Sequence, residues 1–295
     1  MRTIKLNLPG GTFHALELGP HKAPLLLWLH GFPDHPPTAL PFLEHLTRSH
    51  RVIAPWLRGY TPSPLDGPYD LDTLAGDVLA MIEQLSPDAP IDLVGHDWGA
   101  AITYALCAVA PERVRRAVTM AVPHPLTLLR RLRSTSQMRR SWYMALFQIP
   151  GSERVVRANN LAMIDHLWRT WSPGFLLDAP RRTSLHACLD ASLPAPISYY
   201  RAMLRPIVGF RARARRIAAP LATPVLQLHG ADDGCVLPPT LPLDDDRRFT
   251  QRELAIVPDV GHFLHLEAPD AIAGRVLTWL APRARGQTVG SADGS

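Results

Sequence analysis

A chain of 295 residues, 46% hydrophobic and 19% charged, is long enough to bury one large core, and its composition excludes a disordered protein. The net charge of +5 comes almost wholly from arginine, since Lys5 and Lys22 are the only lysines; the arginines gather between Arg130 and Arg216 at helical spacing with no nucleic-acid module, so no nucleic-acid partner is expected. Cys107, Cys188 and Cys235 are odd in number and far apart, which speaks against a disulfide framework or a metal site, and no apolar run approaches the roughly 18 residues of a membrane span.

In chain order, the opening segment MRTIKLNLPGG alternates polar and apolar residues like a strand and lacks the apolar core of a signal peptide. A cytoplasmic, reduced protein without a membrane partner is the expectation. Strands are predicted at 2–8, 12–19, 25–30 and 51–56. Leu71, Leu74, Val78, Ile82 and Leu85 then recur every three or four residues, a helical stripe with Asp70 placed to cap it. Further strands are predicted at 91–96 and 117–122. Short apolar runs alternating with amphipathic helices imply a mainly parallel sheet covered on both faces.

From 124 to 216 the rhythm turns helical, with frequent arginine, tryptophan and tyrosine. Strand-like runs resume at 224–229 and 254–257, and a final helix carries Ile272, Val276, Leu277 and Leu280. A sheet interrupted by a helical block reads as one domain, 1–123 with 217–281, carrying a helical cap at 124–216. The tail 282–295, RARGQTVGSADGS at its end, is expected to be disordered.

The most informative segment is IDLVGHDWGAAITYALCA, 91–108. An apolar strand runs into Gly95-His96-Asp97-Trp98-Gly99 and a small-residue helix starts at once, the context in which a G-x-nucleophile-x-G turn lifts its central side chain to the sheet edge. Here that residue is Asp97. A carboxylate needs no base to deprotonate it and can attack an sp³ carbon to give an alkyl ester, whereas it suits ordinary ester hydrolysis poorly. The plainer alternative is that Asp97 caps the following helix, since aspartate is a favoured N-cap.

GHDWG, together with HGFP at 30–33, resembles the epoxide hydrolases of the α/β-hydrolase superfamily, and the likeness runs from about 10 to 281. The resemblance implies an α/β-hydrolase fold, a mostly parallel eight-stranded sheet flanked by helices with an inserted helical cap. It implies a cis peptide before Pro33 and an oxyanion hole from the backbone N–H groups of Phe32 and Trp98. It points to His262, in Asp-Val-Gly-His-Phe, as general base, with His265 as the rival. The family pattern G-x-x-D selects Asp233 as the acid that orients it, with Asp232 the alternative. SWYMALFQIPG resembles the cap segment whose tyrosine grips the epoxide oxygen, giving Tyr143. SYYRAM resembles the segment carrying the second, giving Tyr200, although Ser198 and Tyr199 replace the usual Asn-Trp pair and leave Tyr199 in contention. Phe32, Trp98, Tyr143 and Tyr200 are then the substrate-binding residues. The resemblance further implies that His124-Pro125 and the Arg58-Gly59 turn are structural.

The function implied is opening of a small-molecule epoxide to a vicinal diol through an ester on Asp97, with no metal or cofactor, in a monomer or homodimer. The alternative is a haloalkane or haloacid dehalogenase using the same nucleophile. Phe32 stands where haloalkane dehalogenases place asparagine, and the arginine that fluoroacetate dehalogenases carry after the nucleophile is missing. A non-catalytic binding protein of this fold would have lost a member of the Asp97, Asp233, His262 set, and none is missing.

Overall fold

The computed structural model describes residues 1–203, 217–239 and 246–282. The apolar runs pair into one sheet of eight strands: β1 (Arg2–Leu8), β2 (Gly11–Leu18), β3 (Leu25–Leu29), β4 (Arg51–Pro55), β5 (Ile91–His96), β6 (Val114–Met120), β7 (Val225–Gly230) and β8 (Arg252–Val257). Their order is β1-β2-β4-β3-β5-β6-β7-β8. Only β2 runs against its neighbours; from β4 onward the pairing is parallel. Every residue of β3, β5 and β7 is buried, as parallel strands covered on both faces must be.

Alternation along β3 shows how both faces are filled. Leu25, Leu27 and Leu29 join a core with α2 (Leu71–Leu85) and α3 (Trp98–Val109), while Leu26 and Trp28 join a second core with α1 (Leu40–Leu46) and α11 (Pro269–Leu280). Helix α2 starts where the stripe predicts, because the Asp70 side chain accepts from the N–H groups of Asp72 and Thr73. A short α10 (Leu264–Glu267) precedes α11.

Strand β6 begins three residues before the 117–122 prediction and ends at Met120. The guanidinium groups of Arg115 and Arg116 reach the last carbonyls of α11, at Leu280 and Trp279, so these charged residues sit comfortably in the sheet. Ala121, at φ 66°, closes the strand.

Between β6 and β7 the described chain is helical: α4 (Pro125–Arg131), α5 (Thr135–Arg140), α6 (Trp142–Phe147), α7 (Glu153–Trp171), interrupted at Ala158–Leu161, α8 (Ala179–Ser192) and α9 (Ala195–Ala202). Residues 204–216 of the helical block, and the tail from 283, lie outside the described residues. Among the described residues no helix is long and apolar enough to cross a membrane.

Candidate active site

Asp97 sits between the end of β5 and the start of α3 with φ 51° and ψ −114°, a region that costs a non-glycine residue on the order of 1–3 kcal/mol. The turn is held by its own backbone: the Asp97 N–H donates to Met120 O at 3.1 Å and its carbonyl accepts from Ala101 N at 3.1 Å. Glycine at 99 is obligatory, because a Cβ there would lie 2.0 Å from Leu29 O. Asp97 does not cap α3 with its side chain, unlike Asp70 on α2. Its Oδ1 instead accepts from the Phe32 N–H at 2.8 Å, and its Oδ2 lies 3.6 Å from His262 Nε2.

The Phe32 N–H is presented by the turn after β3, where the Phe32-Pro33 peptide is cis as expected. His262, in the loop after β8, places Nδ1 3.0 Å from Asp233 Oδ2. Asp233 Oδ1 accepts from the N–H groups of Cys235 and Val236 at 2.7 and 2.9 Å, and His229 Nε2 lies 3.3 Å from its other oxygen. Asp232 is exposed and takes no part, and His265 is turned away from Asp97 into a buried cluster with Asp34 and His96.

Burial alone would push the His262 imidazole down, but the Asp233 and Asp97 carboxylates outweigh it and raise the ring to about 10. Burial likewise pushes the Asp233 carboxyl up, and His262 overrides it and holds the group below its ordinary value. The three side chains therefore form a buried row of two carboxylates and one imidazolium while Asp97 is ionised.

Tyr143 and Tyr200 come from α6 and α9, and with Asp97 and Trp98 they line one cavity of about 150 Å³. The Tyr200 ring stands edge-on to Trp98, Phe32 and Tyr143 at 5.1, 5.6 and 5.5 Å between centroids. Burial first, then Cys235 for Tyr143 and the Asp97 charge for Tyr200, drives both phenols well above their ordinary value, so each remains an O–H donor. Among the described residues the Tyr200 hydroxyl has no hydrogen-bond partner. The Tyr199 hydroxyl is committed elsewhere, donating to Arg58 O. Arg58 itself forms a two-pronged pair with Asp77, Nε to Oδ2 at 2.6 Å and Nη2 to Oδ1 at 2.7 Å, which fixes the turn. His124 caps α4, accepting from Leu126 N.

Sequence reasoning missed the clamp around His262. Trp168 and Trp171, one turn apart on α7, bracket the loop: Trp168 stacks on Phe263 at 3.5 Å and donates from Nε1 to Pro33 O at 2.9 Å. Trp171 lies 5.1 Å from the His262 ring and its carbonyl accepts the His262 N–H. Glu267 accepts twice from Gly261 N and once from Ser172 Oγ, whose oxygen in turn accepts from Phe263 N. The only hint was the Trp-x-x-Trp spacing at 168–171.

Among the described residues, one group has metal-ligand chemistry: Asp34, His96 and His265, with ligand atoms within 4.8 Å of one another. His265 Nε2 lies 3.8 Å from Asp34 Oδ2 in this cluster. Burial raises the Asp34 carboxyl to about 7 and pushes His96 down to about 3.

An acidic residue on a strand-to-helix turn at the C-terminal edge of a mostly parallel sheet, followed in the chain by an acid and a histidine, defines an α/β hydrolase. The family model described as alpha/beta hydrolase fold matches residues 24–269, and the chain belongs to that family. It is 27% identical over 298 residues to epoxide hydrolase 4 of Mus musculus, covering 96% of this chain and 80% of that protein. It is 26% identical to the AB hydrolase superfamily protein YfhM of Bacillus subtilis (strain 168), covering 93% and 96%. Among solved structures, an epoxide hydrolase of Bacillus megaterium in complex with an inhibitor superposes with a TM-score of 0.81 at 24% identity, over 94% of this chain and 99% of that one. A structure described among novel epoxide hydrolases in metagenomes from hot environments superposes with a TM-score of 0.80 at 27% identity, over 96% and 99%.

Proposed function

We propose that the protein is an epoxide hydrolase that opens its substrate through a covalent ester on Asp97. The observation that carries this reading is the Asp97 carboxylate, drawn off its helix toward Phe32 N–H and His262 beneath two buried tyrosines that share its cavity. Residues 124–216 act in this scheme as a cap over the core of 1–123 and 217–281, contributing Tyr143 and Tyr200. The relatives described as epoxide hydrolases support the substrate class.

Tyr143 and Tyr200 hold the epoxide oxygen while an Asp97 oxygen bonds to a ring carbon; the C–O bond breaks and the oxygen takes a phenolic proton. Esterification removes the Asp97 negative charge, and with it one of the two influences that keep His262 protonated. The imidazole can then give up its proton and serve as base, which is why nucleophile and base need not compete at the outset. His262, oriented by Asp233, activates water against the ester carbonyl, and the N–H groups of Phe32 and Trp98 take up the charge on its oxygen. The cavity wall is mainly apolar, with Leu71, Leu126, Met144 and Val236 among its residues and no Lys or Arg among those described. Neutral aryl or alkyl epoxides are therefore favoured over anionic ones.

His262→Gln tests the scheme: incubated with styrene oxide, it should accumulate an adduct of protein plus substrate in intact mass spectra. A variant that binds epoxide and forms no adduct would count against Asp97 as nucleophile. Halide release from a chloroalkane by the wild-type protein, with no diol from epoxides, would favour the dehalogenase reading.

A further inference from the structure

Asp233 orients His262 only while its two oxygens keep separate partners, Oδ1 the N–H groups of Cys235 and Val236, and Oδ2 the His262 ring. What fixes those N–H groups comes from the cap. Gln137 of α5 is fully buried, and its amide reaches the acid's loop: Nε2 donates to Cys235 O at 2.9 Å and Oε1 accepts from Leu237 N at 2.9 Å. A carbonyl on one side and an N–H on the other allow the amide a single orientation. Its second proton goes to Ser141 Oγ at 3.0 Å, and Ser134 Oγ accepts from the Gln137 backbone N–H at 3.2 Å. The side chain is anchored at its root and satisfied at its tip.

A peptide unit is planar, so its carbonyl and its N–H point in opposite directions and turn together. The unit joining Cys235 to Val236, whose carbonyl Gln137 holds, is the one whose N–H meets Asp233 Oδ1 at 2.9 Å. The unit joining Val236 to Leu237, whose N–H Gln137 holds, has its carbonyl 2.9 Å from His229 Nε2, the ring that also stands 3.3 Å from Asp233 Oδ2. From this geometry we infer that Gln137 is a positioning residue for the triad acid: by gripping two consecutive peptide units it aims Val236 N–H at Asp233 Oδ1, so that Oδ2 faces His262. Its bearing on catalysis rests on the epoxide-hydrolase reading. The cap then serves both chemical steps, with Tyr143 and Tyr200 for ring opening and Gln137 for release of the ester. Arg140 of the same helix adds a bond from Nη1 to Asp233 O at 2.8 Å. Without the amide the buried Cys235 carbonyl loses its partner, and the unit turns to find another.

Two readouts test this on the full chain. The charged and titratable groups that act on His262 or feel its charge are Asp97, Asp233, Asp34, His96, His229 and His265, and substitution at 137 replaces none of them. In protein labelled with nitrogen-15 histidine, NMR, with the His262 resonance assigned by His262→Gln, should show the ring titrating about one pH unit lower in Gln137→Met than in wild type, because Asp233 no longer meets it squarely. Stopped-flow kinetics with styrene oxide should show ester hydrolysis about tenfold slower in that variant and alkylation within about twofold of wild type. Gln137→Asn, whose amide is drawn back by one methylene, should shift both readouts the same way by less. A folded variant of either kind with the wild-type His262 titration, or with alkylation slowed as much as hydrolysis, would overturn the inference. The titration needs no substrate. A wild-type protein that opened no epoxide would therefore sink the functional reading, while a His262 shift still supported the clamp and its lack still refuted it.

Discussion

Replacing Gly31 by alanine perturbs the nucleophile without replacing a catalytic side chain. A Cβ at that position would lie 2.4 Å from both Asp97 Cβ and Asp97 Oδ1, where ordinary contact begins at 3.4 Å. Something must therefore move by about 1 Å. The turn resists, because the Gly31 carbonyl accepts from Asp34 N at 3.2 Å and lies 3.0 Å from His30 Nδ1, and Asp97 is already locked in a left-handed turn. The cost should be about 1–3 kcal/mol of stability, as for overpacking elsewhere. Displacing the carboxylate by that distance, so that Oδ1 loses its 2.8 Å bond to Phe32 N–H and the attacking Oδ2 loses its aim, should slow alkylation by about 100-fold. Gly76→Ala is the control: on the exposed face of α2, with nothing within 4 Å of the added methyl, it should stabilise by about 1 kcal/mol and leave turnover alone. Urea melts and stopped-flow alkylation on the two variants decide the matter. Normal alkylation in folded Gly31→Ala would refute the placement of Asp97 argued above.

Tyr143→Phe and Tyr200→Phe should each slow alkylation by about 100-fold. Tyr199→Phe, whose hydroxyl holds Arg58 O, should instead lower stability by about 1 kcal/mol with alkylation nearly intact; the reverse pattern by rapid-quench kinetics would reassign the second acid. Asp34 binds its proton more tightly folded, at about 7, than unfolded, near 3.8. Its contribution is thus complete below about pH 4 and lost as pH rises through about 7, and Asp34→Asn should flatten that part of the urea-midpoint profile. His262, raised from 6.5 to about 10, contributes fully below about pH 6.5 and loses its contribution through about pH 10. His262→Gln should flatten that upper window alone, and a wild-type profile with no fall there would count against the imidazolium.

Residues whose chemistry is local to a motif were legible in the sequence. Asp97, Phe32 and His262 each sit where a strand hands over to a turn, and the structure brings them within 2.8 and 3.6 Å of one another in the order the motifs imply. Choices between adjacent residues were not settled by the chain: Asp232 against Asp233 and Tyr199 against Tyr200 differ only in which way the backbone turns them, and only the fold decides that Asp233 meets His262 and Tyr199 meets Arg58. Least legible were contacts spanning long stretches of chain, such as Trp168 on Pro33 and Cys235 on Tyr143. These leave no periodicity to read. The start of β6 was hidden for a related reason, since the partners of Arg115 and Arg116 lie at the far end of α11.

The central claim is that an enzyme carboxylate oxygen ends up in the product, and a single turnover in oxygen-18 water with enzyme in excess over styrene oxide measures it. The first diol should carry no heavy oxygen, and the peptide containing Asp97 should gain one. Heavy oxygen in that first diol, with the peptide unlabelled, would mean that water attacks the ring directly and that Asp97 never bonds to carbon.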